Sequence, residues 1–197
     1  MNHGVLVLLR HGESTANAAQ EFTGLLDVGL TPLGCEQARR AAQMLATDGC
    51  RPHTVVTSPM LRATLTTNLV LRELSLDDDV VVASWRLAER DYGCLTGVPK
   101  AQALAMYGPE RYISVRRTMD GVPDPASSKQ ISGWDSAFTD PRSGLPAPGA
   151  GESLRDVVTR VAPCWHRIRE RVLQGETVLV VAHGNSLRAL CTAVDDL

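Results

Sequence analysis

The sequence predicts an α/β protein, a three-layer α/β/α sandwich around a mostly parallel sheet. Three observations support this prediction. Short apolar runs alternate with longer amphipathic segments along the chain, which is the pattern of strands and helices in such folds. The short runs are rich in β-branched residues, as buried parallel strands are. Several longer segments begin at a hydroxyl residue that suits the start of a helix.

Four apolar runs are predicted to be strands. They are Val5–Leu9, Val55–Thr57, Val80–Ala83 and Thr177–Ala182. Each run is short and is followed at once by a polar residue. We therefore expect each of them to lie inside the sheet with helices on both faces.

Three longer segments are predicted to be helices. Thr31-Pro32 and Ser58-Pro59 each place a capping hydroxyl before a proline that suits the first helical turn. Apolar residues follow both sites at helical spacing. A third long helix is expected to begin at Gly151–Leu154 and to end at Gly175.

A single domain is predicted over residues 1–197, because a chain of this length can bury one core of ordinary size. An insertion rich in proline and glycine, at about residues 121–151, interrupts the pattern with five prolines. A long loop inside a compact domain is often a lid or a binding loop. A surface excursion without a role fits the same composition equally well.

Charge and composition argue against several classes of protein. The formal net charge of −2 does not favour binding to nucleic acid through general basicity. No apolar run approaches the roughly 18 residues of a membrane helix, and no basic region precedes the first run as in a signal peptide. The five cysteines are scattered, without a C-x-x-C pair. We therefore expect free thiols in a cytoplasmic protein without membrane or nucleic-acid partners.

Two of the predicted strands end in the same way. Val5–Leu9 leads into Arg10-His11-Gly12, and Thr177–Ala182 leads into His183-Gly184. Ligands of open α/β sheets bind beyond the carboxyl ends of the strands, so neighbouring first and last strands would bring His11 and His183 together. A neutral imidazole can act as a nucleophile, and cationic neighbours can stabilise a phosphoryl group in transfer. Two structural histidines are the alternative interpretation.

Zinc binding is the competing chemistry for a pair of histidines. The sequence contains no H-x-x-x-H motif and no Cys/His spacing that would supply the other ligands. His3, His53 and His166 lie in contexts that suggest no role. We therefore expect a site without a metal ion.

An ordered set of motifs resembles the histidine phosphatase superfamily and, within it, the cofactor-dependent phosphoglycerate mutases. The set opens with the signature Leu9–Ser14, which reads LRHGES. The other motifs follow in family order as far as about residue 190: Leu30–Gly34, Thr57-Ser58 with Arg62, Trp85–Leu87 with Glu89-Arg90, Tyr92-Gly93, Leu95–Gly97, Arg116-Arg117, Glu152–Leu154 and Ala182–Arg188. A lone Arg-His-Gly would be weak support, whereas the ordered set is highly specific.

The resemblance implies a phosphoryl-transfer site. His11 would carry the phosphoryl group, and Glu89 would exchange a proton with the substrate oxygen. Arg10, Arg62 and His183 would hold the phosphate oxygens, since a guanidinium group binds phosphate bidentately and stays charged. These five residues are the expected catalytic set.

A structural interpretation of the same charges stays open. Buried Arg10 and Arg62 would need acidic partners if no phosphate bound them, and Glu13 could be such a partner. Glu89 could likewise form a salt bridge with the neighbouring Arg90.

The resemblance also implies the residues that bind the rest of the substrate. Tyr92, Lys100, Arg116 and Arg117 match residues that hold its carboxylate and a second, non-reacting phosphate. The other expected binding residues are Asn17, Thr23 and Gly24, which would complete the phosphate pocket, and Arg90, Gly184 and Asn185. A mutase must hold both ends of a bisphosphate, whereas a phosphatase needs one phosphate pocket. This set therefore favours the mutase.

Four features depart from the family pattern. Asp91 stands where histidine is common, Pro99 where asparagine is usual, and Val115 where an aromatic residue precedes the arginines. An aspartate facing the anion pocket would repel phosphate by about 1 kcal/mol, unless its side chain points away.

The two C-terminal strands and closing tail of the family are missing after Leu197, and one of these strands would pair with Val5–Leu9. Either the sequence is incomplete or another element, such as a partner subunit, covers that edge.

The expected function is that of an isomerase of glycolysis and gluconeogenesis. It would interconvert 3-phosphoglycerate and 2-phosphoglycerate, with 2,3-bisphosphoglycerate as primer and no metal. Two alternatives stay open: a histidine phosphatase that hydrolyses a small phosphomonoester, and a non-catalytic protein that binds a phosphorylated metabolite. The expected partner is a small phosphorylated metabolite, and a homodimer is compatible with the sequence.

Overall fold

One parallel sheet forms the centre of the molecule. A computed structural model describes residues 4–134 and 147–195. The strands are β1 (Val5–Arg10), β2 (Thr54–Thr57), β3 (Val81–Ala83) and β4 (Thr177–Ala182). Their order is β1–β4–β2–β3, and every neighbouring pair is parallel. All four predicted strands are confirmed; β3 begins after Val80 because that residue closes a short 3₁₀ helix.

Helices cover both faces of this sheet. In the described part of the chain they are α1 (Thr15–Ala18), α2 (Pro32–Thr47), α3 (Leu61–Leu74), α4 (Lys100–Arg117), α5 (Ser128–Ser132), α6 (Leu154–Leu173) and α7 (Gly184–Asp195). Short 3₁₀ helices span Asp78–Val80, Trp85–Leu87 and Gly93–Leu95. Helices α2 and α3 pack on one face, and α6 and α7 pack on the other. The predicted three-layer α/β/α sandwich is therefore confirmed.

Alternate residues of β4 contribute to two separate hydrophobic cores. Val178 and Val180 pack with α6 and α7, whereas Leu179 and Val181 pack with α2 and α3. All four side chains are completely buried. Since burying a side chain of this size contributes about 1.5–3 kcal/mol, these four residues strongly stabilise β4 in the sheet.

Two of the three predicted helix starts are confirmed. The Thr31 side chain accepts a hydrogen bond from the Gly34 amide at the start of α2. At the start of α6, Ser153 and Asp156 form a reciprocal capping box. Each cap provides an acceptor for an otherwise unpaired amide of the first turn.

The predicted cap of α3 at Ser58 is wrong. The helix begins at Leu61, whose amide donates to the Asp27 carboxylate over 2.6 Å. The Ser58 hydroxyl accepts from the Met60 amide, which precedes the helix, over 3.3 Å and lies 2.8 Å from Nε2 of His183. A hydroxyl at the end of β2 therefore faces the neighbouring strand end, which local capping rules do not consider.

The insertion at about residues 121–151 is described only in part. It contains helix α5, whose start is a capping box between Ser127 and Gln130. The expectation of a segment without regular structure is therefore wrong there, because local capping supports one turn of helix between the prolines. Residues 135–146 lie outside the described part of the chain.

Strands β1 and β3 are the edges of the sheet as described. The strand that the resemblance implies beside β1 is not among the described residues. No described helix combines the length and hydropathy needed to cross a lipid bilayer.

Candidate active site

The two predicted histidines meet at the carboxyl ends of β1 and β4. Arg10 pairs with Ala182 in the parallel register, and the His11 amide donates to the Ala182 carbonyl over 3.0 Å. The centroids of the His11 and His183 rings lie 5.0 Å apart. His11 is 6% exposed and His183 is 0% exposed. The prediction that neighbouring strands bring the rings together is confirmed.

The hydrogen bonding of His11 fixes its tautomer. Its Nδ1 lies 2.7 Å from the Gly12 carbonyl oxygen. A carbonyl oxygen only accepts hydrogen bonds, so Nδ1 carries the proton and Nε2 keeps its lone pair. Burial, reinforced by Arg62 and Arg10, lowers the pKa of His11 to about 4. The ring is therefore neutral at pH 7, with Nε2 available as a nucleophile.

The backbone after His11 packs tightly against the start of α2. A Cβ atom on Gly12 would lie 2.1 Å from the Gly34 carbonyl oxygen, and one on Gly34 would lie 2.1 Å from the Glu13 carbonyl oxygen. Only glycine permits this approach at either position. The Gly12 amide also donates to the Thr66 hydroxyl over 3.1 Å. These contacts fix the position of the His11 backbone.

His183 is held from a different side. Its Nε2 lies 2.8 Å from the Ser58 hydroxyl, and its backbone amide donates to the Ser186 hydroxyl over 3.1 Å. Nδ1 has no hydrogen-bond partner within the described residues. Burial first, and then the charge of Arg62, lower the pKa of His183 well below its ordinary value. Two neutral imidazoles therefore lie side by side at neutral pH.

Arg62 supplies a buried cation beneath the histidines. It is 1% exposed, and its guanidinium donates to the carbonyls of Leu26 and Gly24 over 2.7 and 3.1 Å. Burial lowers the pKa of Arg62 to about 10, so it stays charged at neutral pH. In the described part of the chain it forms no ion pair. A buried cation whose hydrogen-bond partners are all uncharged makes an anion favourable at this site.

The alternative pairing of Glu13 with the arginines is not formed. The Glu13 carboxylate instead accepts from the Thr31 hydroxyl over 2.8 Å. Arg10 is exposed and likewise has no ion pair within the described residues. The charges of both arginines thus stay available to a ligand.

A cleft of about 260 Å³ lies beside the strand ends that carry the histidines, with Arg10 and Gly184 in its lining. Its lining residues are Arg10, Asn17, Glu21, Phe22, Thr23, Gly24, Glu89, Tyr92, Lys100, Arg116, Arg117, Gly184, Asn185 and Arg188. His11 lines an adjoining cavity of about 410 Å³, which shares Arg10, Asn17 and Lys100 with the cleft. We call Arg10, His11, Arg62 and His183 the proximal end, and Lys100, Arg116 and Arg117 the distal end.

Most of the residues expected to bind substrate line this cleft; Arg90 does not. Arg90 is 1% exposed, and its guanidinium donates to the carbonyls of Glu152, Val115 and Gly121. These bonds place it inside the protein, where it joins three segments around the cleft. The direct contact of Arg90 with substrate stays a prediction.

Glu89 lies in the cleft with one oxygen fixed. Its Oε1 accepts from the Arg90 amide over 2.8 Å and from Asn185 Nδ2 over 2.9 Å. The same Nδ2 donates to the Tyr92 hydroxyl, and Arg188 donates to Asn185 Oδ1 over 3.0 Å. Oε2 forms no hydrogen bond to a described residue. The alternative salt bridge with the Arg90 side chain is not formed.

A buried ion pair supports the loop that carries Glu89. Glu152 and Arg160 form a bidentate pair with both distances at 2.9 Å. The Arg160 guanidinium also donates to the carbonyls of Arg86 and Ala88. Bidentate geometry with satisfied donors holds the backbone before Glu89 in one conformation.

Side chains near the cleft hold two of the distal cations, Arg116 and Lys100. Arg116 donates to the Tyr112 hydroxyl over 2.9 Å, and its guanidinium carbon lies 5.0 Å from the Tyr112 ring centroid and 5.8 Å from that of Phe22. Lys100 donates to the Gln20 side-chain oxygen over 3.1 Å. Burial, Arg116 and Arg10 together lower the pKa of Lys100. Cations that disfavour one another are stabilised by an anionic ligand.

Asp91 points away from the cleft, in agreement with the second of its two expected arrangements. The residue is 3% exposed, and its carboxylate accepts from the amides of Gly93, Gly149 and Gly151 over 2.8 to 3.0 Å. It therefore fixes the end of the 121–151 insertion instead of repelling an anion.

Glu21, Phe22 and Arg188 line the cleft but were not among the expected site residues. Arg188 ends the quoted motif Ala182–Arg188, so a helical spacing of three from Asn185 could have identified it. Glu21 and Phe22 lie beside Thr23, but nothing in their local sequence separates a cleft residue from a surface one. Within residues 4–134 and 147–195, no group of three or more metal-ligating side chains occurs.

Comparison with known proteins places these residues in a family. The profile of the histidine phosphatase superfamily (branch 1) matches residues 6–130 and 116–197. A 2,3-bisphosphoglycerate-dependent phosphoglycerate mutase from Thermobifida fusca is 46% identical over 98% of this chain and 78% of its own length. The corresponding mutase from Corynebacterium diphtheriae is 42% identical over all of this chain and 79% of its own length.

Solved structures give a related but different comparison. A mycobacterial glucosyl-3-phosphoglycerate phosphatase superposes with a TM-score of 0.73 at 28% identity, over 98% of this chain and 82% of its own. A protein described as mycobacterial hydrolase 1 also reaches 0.73, at 27% identity, over 98% and 81%. The fold is thus shared with hydrolases, whereas the more similar sequences are those of mutases.

Proposed function

The chain belongs to the histidine phosphatase superfamily (branch 1), and we propose that it is a 2,3-bisphosphoglycerate-dependent phosphoglycerate mutase. Its reaction would interconvert 3-phosphoglycerate and 2-phosphoglycerate. Curated relatives with this name are 40–46% identical over almost the whole chain. A small phosphorylated metabolite is the corresponding ligand, and 2,3-bisphosphoglycerate is the primer.

The observation that carries this proposal is a cleft and an adjoining cavity, with a nucleophile at one end and three cations at the other. His11 lies at the proximal end, and Lys100, Arg116 and Arg117 lie at the distal end. A phosphatase needs to hold only the phosphate that it removes. A mutase must also hold the other acidic groups while the phosphoryl group changes position. The distal cations fit that second requirement.

His11 performs the phosphoryl transfer in this proposal. Nε2 attacks phosphorus, so the N–P bond forms as the bond from phosphorus to the substrate oxygen breaks. Arg10 and Arg62 stabilise the charge of the transferring group. The primer supplies the phosphoryl group that first charges His11.

Glu89 moves the proton that accompanies each transfer. In the protonated state its Oε2 donates to the leaving alkoxide, which becomes the substrate hydroxyl. The resulting carboxylate then accepts the proton of the neighbouring hydroxyl as that oxygen attacks phosphorus on His11. Asn185 and the Arg90 amide hold Oε1, so one oxygen faces both substrate positions in turn.

Measuring isomerisation and phosphate release together tests the proposal. We expect conversion of 3-phosphoglycerate to 2-phosphoglycerate that increases when 2,3-bisphosphoglycerate is added, with little inorganic phosphate released. Mass mapping after incubation with the primer should find acid-labile phosphate on His11. Phosphate release without stimulation by the primer would contradict the mutase assignment.

A phosphomonoester hydrolase is the second candidate, and the solved phosphatase structures favour it. In that case water would attack the phosphohistidine, and Glu89 would accept a proton from that water. Water access to His11 separates the two reactions. Labelling of His11 together with rapid release of phosphate would identify the hydrolase, whereas absence of label would indicate a binding protein without turnover.

We further propose the cytoplasm as the site of action. Five free cysteines lie in the chain without a disulfide, as expected of a reducing compartment. Independence of metal ions follows from the proposed chemistry, since the residues of the cleft supply both the nucleophile and the stabilising charges. Full activity in the presence of EDTA tests the second point.

A further inference from the structure

Glu21 is a carboxylate in a cleft that is otherwise strongly cationic. Five cations line this cleft, namely Arg10, Lys100, Arg116, Arg117 and Arg188. Glu89 is the other carboxylate of the lining, and its Oε1 is held by two hydrogen bonds. The Glu21 carboxylate forms no ion pair or hydrogen bond within the described residues. It is half-buried and lines the cleft.

The backbone of Glu21 is fixed against the helix that carries the distal cations. Glu21 forms an isolated antiparallel bridge with Pro99, and the Lys100 amide donates to the Gln20 carbonyl over 2.9 Å. On its other side, the Phe22 ring packs beneath the Arg116 guanidinium. Glu21 is thus held between residues that contact Lys100 and Arg116. Its position in the cleft follows from these contacts and not from a flexible loop.

We propose that Glu21 is a specificity-determining residue that sets how much negative charge the distal end accepts. Its carboxylate offsets part of the positive potential of the cations that would bind the ligand. The repulsion between Glu21 and a dianionic phosphate is about twice that between Glu21 and a group with one negative charge. Glu21 therefore weakens binding of ligands in proportion to the charge that they place at the distal end.

This inference rests on the proposed function where it names the ligands. 3-Phosphoglycerate presents a carboxylate and a hydroxyl beyond the reacting phosphate, whereas 2,3-bisphosphoglycerate adds a second phosphate. Glu21 thus favours the monophosphate over the bisphosphate relative to a cleft without this charge. The consequence for catalysis is that the bisphosphate is less strongly trapped in the cleft.

Glu21→Gln tests the role of this charge, since it keeps the shape and removes the carboxylate. Calorimetric titration with 3-phosphoglycerate and 2,3-bisphosphoglycerate should be done in a His11→Gln background, where no phosphoryl transfer occurs. At low salt we expect 2,3-bisphosphoglycerate to bind about three- to tenfold more tightly to the Glu21→Gln protein, and 3-phosphoglycerate about two- to threefold more tightly. High salt should reduce both differences.

Two further variants act as controls. Glu110→Gln removes one carboxylate from the exposed surface of α4 and should change neither dissociation constant. Glu21→Asp keeps the charge and should preserve the preference between the two ligands. In the presence of His11, Glu21→Gln should lower the KM for the primer.

The outcomes separate this inference from the proposed function. An equal change for both ligands, no change, or weaker binding to the Glu21→Gln protein would overturn the role of Glu21. So would failure of the protein with native Glu21 to bind either ligand, since the distal cations would then hold no anion. A shift in preference in a protein that shows no isomerisation would support the role of Glu21 and overturn the mutase assignment.

Discussion

The proximal and distal ends of the cleft are built in different ways. At the proximal end, His11, Arg62 and His183 are each at most 6% exposed, and backbone atoms hold two of them directly. At the distal end, Arg116 and Lys100 are half-buried, and each donates a hydrogen bond to another side chain. The buried part of the proximal end is thus fixed largely by backbone atoms, whereas the distal end depends on neighbouring side chains.

This difference separates chemistry from selection of the ligand. Burial keeps both imidazoles neutral, which the nucleophile His11 requires, and it excludes the water that would screen the charge of Arg62. The distal cations keep contact with solvent, so each contributes less and several are needed. We therefore expect proximal substitutions to lower kcat strongly and distal substitutions to raise KM moderately.

The largest expected effect is that of His11→Gln. Removing the nucleophile should reduce isomerisation at least about 10³-fold, because the remaining groups act through His11. The measurement is the initial rate with excess primer. His166→Gln, at an exposed position of α6, is the matched control and should retain full activity. Substantial isomerisation without His11 would show that the chemical step does not depend on the proximal end.

Glu89→Gln should have the next largest effect. Loss of a proton-transferring group typically reduces the rate about 10²- to 10⁴-fold, and we expect that loss in kcat with KM changed little. Glutamine can still occupy the position between Asn185 and the Arg90 amide, so the cleft should keep its shape. Glu170→Gln, on the exposed side of α6, is the control. A rise in KM without a fall in kcat would place Glu89 in ligand binding instead.

The proximal end could be predicted from sequence because topology determines it. Two strands that each end in His-Gly, once adjacent and parallel, must place their next residues side by side. Ser58 shows the limit of this reasoning. Its hydroxyl was expected to cap a helix but faces His183, because the carboxyl end of β2 is also part of the site.

At the distal end, the residues were expected from the sequence, but the contacts that hold them were not. The resemblance identified Lys100, Arg116 and Arg117, but it could not show what supports them. Tyr112 lies four residues before Arg116 on α4, where an aromatic residue reads as ordinary packing. Asp91 was recognised only as a departure from the family. Its three amide partners come from residues far along the chain, so local sequence carries no sign of them.

The pH dependence of stability should report the buried histidines. The pKa of folded His11 is about 4, below its ordinary value of 6.5, so the unfolded chain binds more protons between these values. The free energy of unfolding should therefore rise with pH across about 4 to 6.5, by at most about 3 kcal/mol for this group. His183 shifts in the same direction and should add to the slope.

Urea unfolding in phosphate-free buffers over this pH range measures the effect. His11→Gln should flatten the curve, whereas His166→Gln, which changes an exposed ring, should leave it as it was. An unchanged slope in His11→Gln would mean that the proximal end is more hydrated than its burial indicates.

The smallest expected effect is that of Tyr112 at the distal end. Tyr112→Phe removes the hydroxyl that accepts from Arg116 at 2.9 Å but keeps the ring 5.0 Å from the guanidinium. A single hydrogen bond of this kind is worth about 1 kcal/mol, so the KM for 3-phosphoglycerate should rise about two- to fivefold with kcat little changed. Tyr112→Leu also removes the cation–π contact and should raise KM further.

Tyr107→Phe, on the same helix but bonded to Cys94 and Asp124, is the control and should leave KM unchanged. If Tyr112→Phe lowered kcat instead, orientation of the distal cations would also govern the chemical step, and the division between the two ends would have to be abandoned.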